Sequence, residues 1–185
     1  MKRLATLAAA IAVAVATPCA AVSSTSLGPD ESPAALMAAS VAVAEARDHA
    51  ADAIAGKQLK PGGFWWASNA PSDGNLEVVV SLEDQQAYVY RAGELIGVST
   101  ISSGKPGKDT PPGIFPILEK KKLHHSRKYD NAPMPFMQRL DQYGIALHAG
   151  MIPGRPASHG CVRLPSAFAA KLFAMTEIGD RVVIG

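Results

Sequence analysis

From residue 76 onward the chain reads as short runs of β-branched and aromatic residues broken by turn-forming clusters, the pattern of strands rather than helices. The runs predict strands at Leu76 to Ser81, Gln86 to Arg91, Glu94 to Ile101, Gly113 to Leu118, Tyr143 to His148 and Arg181 to Ile184, with Ala92-Gly93 a tight link between the second and third. One helix is expected from Pro165 to Met175, where Ala167, Phe168, Lys171, Leu172 and Met175 recur at helical spacing. Ahead of this region the period changes. Ser32 can cap a helix and Pro33 suits its first turn, so a helix is predicted over Ala34 to Ala55, stopped at Gly56. Half of it is alanine, and Leu36, Val43, Ala50 and Ile54 form only a weak stripe, the mark of a spacer or docking helix outside the β-rich part. Turn clusters at Lys60 to Gly63 and Ala70 to Gly74 bracket Phe64-Trp65-Trp66, aromatics expected to pack in a core or docking surface rather than to stack on sugar. The fold class is mainly β, with a late helix and an N-terminal alanine-rich helix. The stretch from Glu119 to Asp141 has neither period and is expected to be a long loop.

Residues 1–21 follow a third pattern: Lys2 and Arg3, an apolar run from Leu4 to Ala16, and the small-residue exit Cys19-Ala20-Ala21. This is the layout of a secretory signal cut after Ala21. A lipid anchor on Cys19 is the weaker reading, because Ala16-Thr17-Pro18 lacks the residues such a site needs. The expected division is signal 1–21, helix and linker 22–74, and a compact domain 75–185, with the mature protein in the periplasm or cell envelope and no stable membrane insertion.

The whole chain has 185 residues, 48% hydrophobic, and a formal charge of +2. Loss of Lys2 and Arg3 brings that charge to zero, which removes any net-charge argument for a nucleic-acid partner. The charges are nevertheless segregated. Val22 to Thr100 holds four basic and ten acidic residues, and Ile101 to Gly185 twelve basic and six acidic, so the C-terminal part suits an anionic ligand. Lys120, Lys121 and Lys122 in the long loop are candidates for contacting it.

Cleavage would leave Cys161 the only thiol, in a compartment where thiols are usually paired. It sits in Ser158-His159-Gly160-Cys161-Val162-Arg163-Leu164-Pro165, thirteen residues after His148. A nearby imidazole can take a thiol's proton, Gly160 permits unusual backbone angles beside the sulfur, and a helix opening at Pro165 could set its positive end near it. Spacing leaves the base open: in an extended chain His159 and Cys161 would share a face, whereas His148 can approach from across a sheet. A metal reading would use His148, His159 and Cys161 with His124 or His125, but no paired-ligand motif supports it. No resolving cysteine supports redox chemistry.

His148 followed by Ser158-His159-Gly160-Cys161-Val162-Arg163 resembles the signature of the L,D-transpeptidases of bacterial cell walls, with a YkuD-type catalytic domain. The resemblance extends over roughly Leu76 to Gly185, through Ala87-Tyr88-Val89-Tyr90, the stretch Val98 to Gly104, and Thr110-Pro111-Pro112-Gly113 with Phe115. It implies a β-sandwich-like fold and cysteine acyl transfer on peptidoglycan stem peptides, without metal or organic cofactor. By position it makes Cys161 the nucleophile and His148 the base, with the Ala149 carbonyl orienting the imidazole. His159, Ser158, Gly160 and Arg163 become supporting residues, Arg163 bracing the loop or binding a substrate carboxylate. Main-chain N–H groups around Gly160 and Cys161 would hold the oxyanion. The same signature serves an L,D-carboxypeptidase, in which water resolves the thioester, and ligation of a protein amine to peptidoglycan. A wall-binding protein without activity and a thiol-linked dimer are the non-enzymatic alternatives.

Overall fold

A computed structural model describes residues 28–185; the segment read as a signal lies outside the described residues. Helix α1 (Pro33–Ala53) leads into β1 (Phe64–Trp66), β2 (Leu76–Ser81), β3 (Gln86–Arg91), β4 (Glu94–Thr100), β5 (Gly113–Pro116), β6 (Glu119–Lys121), β7 (Met137–Arg139), β8 (Ala146–Ala149) and β9 (Val162–Leu164). Helix α2 (Ser166–Met175) and β10 (Arg181–Ile184) close the chain. Two sheets result, ordered β1-β4-β3-β2-β10-β5 and β6-β7-β8-β9.

The side-chain period of two explains the layers. Along β2, Val78 and Val80 face the space between the sheets, where they meet Leu147, Ala149, Val162 and Leu164 of the smaller sheet and Phe168 and Leu172 of α2. Val79, with Tyr88, Val98 and Val183, points to the opposite face and is covered by α1. A strand buried on both sides needs no polar alternation, which is why Val78-Val79-Val80 is an unbroken apolar run.

Helix α1 starts where its cap predicts: the Ala35 N–H donates to Ser32 Oγ at 3.2 Å. It ends at Ala53, with Ala55 and Gly56 at positive φ of 51° and 65°. It docks on the large sheet through Ala35, Ala39, Val43, Ala46 and Ala50, spaced by three and four residues. Of the stripe read from sequence, Val43 and Ala50 lie in this face, Ile54 packs beside it and Leu36 is exposed. The contact works through small side chains that let helix and sheet approach closely. Ala46→Leu therefore overpacks it and is expected to cost about 1–3 kcal/mol, read as a lower midpoint in chemical denaturation.

The aromatic triplet pairs with β4 as an edge strand. Trp66 stacks on Phe168 with ring centres 4.4 Å apart, and Trp65 packs with the α1 side of the sheet.

Several boundaries differ from those expected. The strand placed over Tyr143 to His148 begins only at Ala146. Asp141 Oδ1 accepts the N–H groups of Tyr143, Gly144 and Ile145 at 2.9, 2.7 and 2.8 Å, which ties them into a turn. The third strand stops at Thr100 and the fourth at Pro116. The expected loop from Glu119 to Asp141 contains β6 and β7, paired antiparallel and joined by a long excursion. Three of the strands without a sequence prediction there or beyond, β6, β7 and β9, have only three residues each, too few to display a period.

Candidate active site

Strands β8 and β9 run parallel, with His148 opposite Arg163. Leu147 and Ala149 point into the core, so His148, one residue out of phase with them, points to the other face. Extending the register by one residue sets Cys161 opposite Ala146 on that same outer face. By strand spacing and rise, its Cα then lies roughly 8 Å from that of His148, a separation two side chains can bridge. Both residues line one groove of about 1140 Å³.

His148 is buried, and its Nδ1 lies 2.8 Å from the Ala149 carbonyl. A carbonyl only accepts, so Nδ1 carries the proton and Nε2 presents a lone pair. Burial pushes the His148 pKa down to about 4, with the Arg163 charge adding to it against the Ala149 hydrogen bond. Cys161 is half-buried beside Met134, Met137 and Ala146. Burial pushes its thiol up, against the main-chain hydrogen bond from Ala146 and the Arg163 charge. The thiol contacts the Gly144 carbonyl at 3.5 Å. The resting pair is therefore a neutral thiol and a neutral imidazole set up as acceptor, suited to proton transfer during attack rather than to a preformed ion pair.

The rest of the motif holds Cys161 in place. Gly160 has φ +115°, and a Cβ there would come within 2.7 Å of Ile145 Cδ1, so glycine is required. This kink breaks the extended run that would have set His159 beside Cys161. His159 is exposed and its ring stacks on Tyr129, 4.4 Å between centres. Ser158 is buried; its hydroxyl donates to the Cys161 carbonyl and accepts the Gly160 N–H at 3.1 Å. Gly160 is thus already committed, which removes it from the expected oxyanion donors. The Cys161 N–H has no acceptor among the described residues. The expected help from the α2 N-terminus is also displaced: residues 162–164 form β9 and carry the chain roughly 10 Å in extended form before the helix begins.

Arg163 lines the groove and forms no ion pair among the described residues. Its stem lies over Gly150, where an added Cβ would come within 2.9 Å of Arg163 Cδ. The lysine run divides. Lys120 donates to the Phe173 carbonyl at 2.8 Å and to that of Thr176, with its charge over the Phe173 ring, so it ties β6 to α2 and does not line the groove. Lys122 is exposed and also outside the lining. Lys121 alone lines it, paired with Glu119 at 2.6 Å. The pattern of a charge run cannot show that alternate residues of a short strand point in opposite directions. The groove's cations are Lys121, Arg127, Lys128, Arg139 and Arg163 against the single carboxylate of Glu119, whose pKa is held down at about 2 by Lys121 and Arg139. His124, His148, His159 and Cys161 also face it, yet among the described residues no three such groups converge as a metal site.

Behind the motif lies a support that sequence reasoning did not single out. Ser102 exchanges main-chain hydrogen bonds with Arg163 at 3.1 and 3.0 Å, and the Ser103 carbonyl accepts the N–H groups of Ala157 and Ser158. Gln85 holds Ser103 in turn through its amide. Buried Thr110 donates to the Gly160 carbonyl at 2.7 Å and accepts the Gly104 N–H at 2.9 Å. Ser102, Ser103, Gly104 and Thr110 stand inside the stretches that carried the family resemblance, but only the folded contacts give them a task.

A family model for the L,D-transpeptidase catalytic domain, YkuD, matches residues 75–184. Among solved structures, an L,D-transpeptidase from Stackebrandtia nassauensis is 30% identical, with TM-score 0.56 over 63% of this chain and 58% of its own. A mutant of the Enterococcus faecium L,D-transpeptidase is 26% identical, with TM-score 0.51 over 62% of this chain and 50% of its own. An L,D-transpeptidase in complex with imipenem is 25% identical, with TM-score 0.55 over 60% and 58%. The chain thus spans between half and three-fifths of the length of these structures. A comparison with curated proteins gave no match.

Proposed function

The chain belongs to the YkuD L,D-transpeptidase family, and from that premise we propose that it is a cysteine acyltransferase that cross-links peptidoglycan stem peptides. The observation that carries this reading is His148: its Nδ1 proton is committed to the Ala149 carbonyl, leaving Nε2 as a base on the same face as Cys161, in a groove whose cations outnumber its carboxylates.

In the first half-reaction Cys161 Sγ attacks the carbonyl on the L-centre of the third residue of a tetrapeptide stem, diaminopimelate. His148 Nε2 takes the thiol proton, and the Cys161 N–H supports the oxyanion. The carbon–nitrogen bond to the terminal D-alanine breaks, and His148 returns the proton to the departing amine. A thioester remains. In the second half-reaction the side-chain amine of another stem attacks that thioester and loses its proton to His148. Sulfur leaves, recovers the proton, and a link between two third residues is formed. Arg163, a guanidinium that lines the groove with no ion-pair partner among the described residues, would hold a stem carboxylate, with Lys121, Arg127 and Lys128 as further cations along the groove. The reaction draws on no metal or cofactor. Within this reading residues 1–21 direct export across the inner membrane to the periplasm, and helix α1 with β1 braces the catalytic domain of residues 75–185.

The test is product analysis after incubation with diaminopimelate-containing disaccharide tetrapeptide. A cross-linked dimer with released D-alanine is expected. Tripeptide monomer alone would mean that water resolves the thioester, assigning L,D-carboxypeptidase activity instead. Unchanged tetrapeptide would overturn the reading.

A further inference from the structure

We propose that Thr110 is a positioning residue that aims the oxyanion-binding N–H of Cys161 by holding the Gly160 carbonyl, an inference that rests on the acyl-transfer reading above. The other polar groups of the Gly160 and Cys161 peptides can be traced to partners. The Gly160 N–H goes to Ser158 Oγ, the Cys161 carbonyl takes the Ser158 hydroxyl, and the Gly160 carbonyl takes the Thr110 hydroxyl at 2.7 Å. The Cys161 N–H and the neighbouring His159 N–H are left without an acceptor among the described residues, and of the two only that of Cys161 belongs to the residue that carries the thiol.

That N–H and the Gly160 carbonyl belong to one peptide unit. No peptide bond in the described chain is cis, so the two groups point in opposite directions from one rigid plane. Fixing the carbonyl therefore fixes the N–H. Thr110 is buried and does not line the groove, whereas Cys161 does, so a carbonyl drawn toward Thr110 turns the N–H away from it. The anchor is itself restrained: Thr110 Oγ1 accepts the Gly104 N–H at 2.9 Å, which leaves its single proton for Gly160. Gly104 must be glycine for this approach, because a Cβ there would meet the Lys108 carbonyl at 2.1 Å and the Thr110 nitrogen at 2.7 Å. Without the hydroxyl, Gly160, already at φ +115°, has one less restraint on the rotation of the plane.

Two reactions of Cys161 separate this role from simple support of the loop. Acylation by imipenem passes through an oxyanion: sulfur adds to the lactam carbonyl, the ring carbon–nitrogen bond breaks, and the thiol proton ends on the ring nitrogen. Alkylation by iodoacetamide displaces iodide at carbon and forms no oxyanion. The experiment measures both rates by intact mass on the full mature chain, for wild type, Thr110→Val and Thr110→Ser, with kcat and KM on the tetrapeptide donor. Removing a whole oxyanion donor costs ~10²–10³ in rate; misaiming one is expected to slow acylation and kcat by at least ~10-fold in Thr110→Val, with alkylation and KM unchanged. Thr110→Ser, which keeps the hydroxyl, is expected to remain within about 3-fold of wild type in every rate. Equal losses of acylation and alkylation in the valine variant, unchanged acylation, or a serine variant as slow as valine would each overturn the proposal. Wild-type protein that is alkylated but never acylated would instead remove the acyl-transfer reading, and this role with it.

Discussion

Cys161→Ala is expected to abolish D-alanine release and thioester formation, a loss of at least about 10⁴-fold in kcat, while leaving the fold in place. Loss of this size follows from removing the atom that forms the covalent intermediate, which the rest of the site cannot replace. The structural cost is small. The sulfur is half-buried against Met134, Met137 and Ala146, and its one side-chain donation among the described residues, to the Gly144 carbonyl at 3.5 Å, comes from a weak S–H donor. Removing it costs about 1 kcal/mol of apolar contact, so the variant's thermal midpoint should stay within a few degrees of wild type. Steady-state assay on the disaccharide tetrapeptide, paired with a melting curve, checks both halves. A folded variant with residual turnover above about 1% would show that another group carries the acyl chain.

His148→Gln is expected to lower kcat by about 10²–10⁴-fold, whereas His159→Ala leaves kcat within an order of magnitude. The asymmetry comes from placement: His148 presents Nε2 on the face of Cys161, while His159 is exposed and stacked on Tyr129. Unchanged turnover in the first variant with none in the second would reverse the assignment of the base. The pH dependence follows from the same burial. The base works only when neutral, so the acid limb of kcat/KM belongs at about pH 4 rather than at the ordinary histidine value of 6.5. Stability moves in the same window. The folded pKa lies below the unfolded one, so between pH 6.5 and about 4 the unfolded chain binds the extra proton. The His148 contribution is complete above pH 6.5 and is lost as the pH falls toward 4, by about 3 kcal/mol. Denaturation midpoints across this range should slope for wild type and flatten for His148→Gln.

These expectations rest on features that differ in how far a sequence discloses them. The mainly β class was legible because Val78-Val79-Val80, Tyr88 and Val182-Val183-Ile184 carry enough β-branched and aromatic residues to mark strands regardless of partner. The two faces of those strands were not. Only the folded chain shows that Val79, Tyr88, Val98 and Val183 are covered by a helix of alanines, whose side chains are too small to print a strong apolar stripe. The local motif set His159, Gly160 and Cys161 together, but an extended chain was the wrong guide at Gly160, where positive φ turns His159 outward. Similarly, Lys120, Lys121 and Lys122 look equivalent in one dimension. Pairing of β6 with β7 sends Lys120 to the end of α2 and Lys121 to the groove. Thr110 lay fifty residues from the carbonyl it holds, a separation that no local pattern bridges.

The proposed reaction carries its acyl group on one sulfur, and the most direct measurement is the mass of the mature protein after brief exposure to disaccharide tetrapeptide with acid quenching. The expected product is an adduct equal to the substrate less one D-alanine, located by digestion on the peptide containing Cys161 and discharged by hydroxylamine. An unmodified protein that has nonetheless released D-alanine, or an adduct on any other residue, would contradict it.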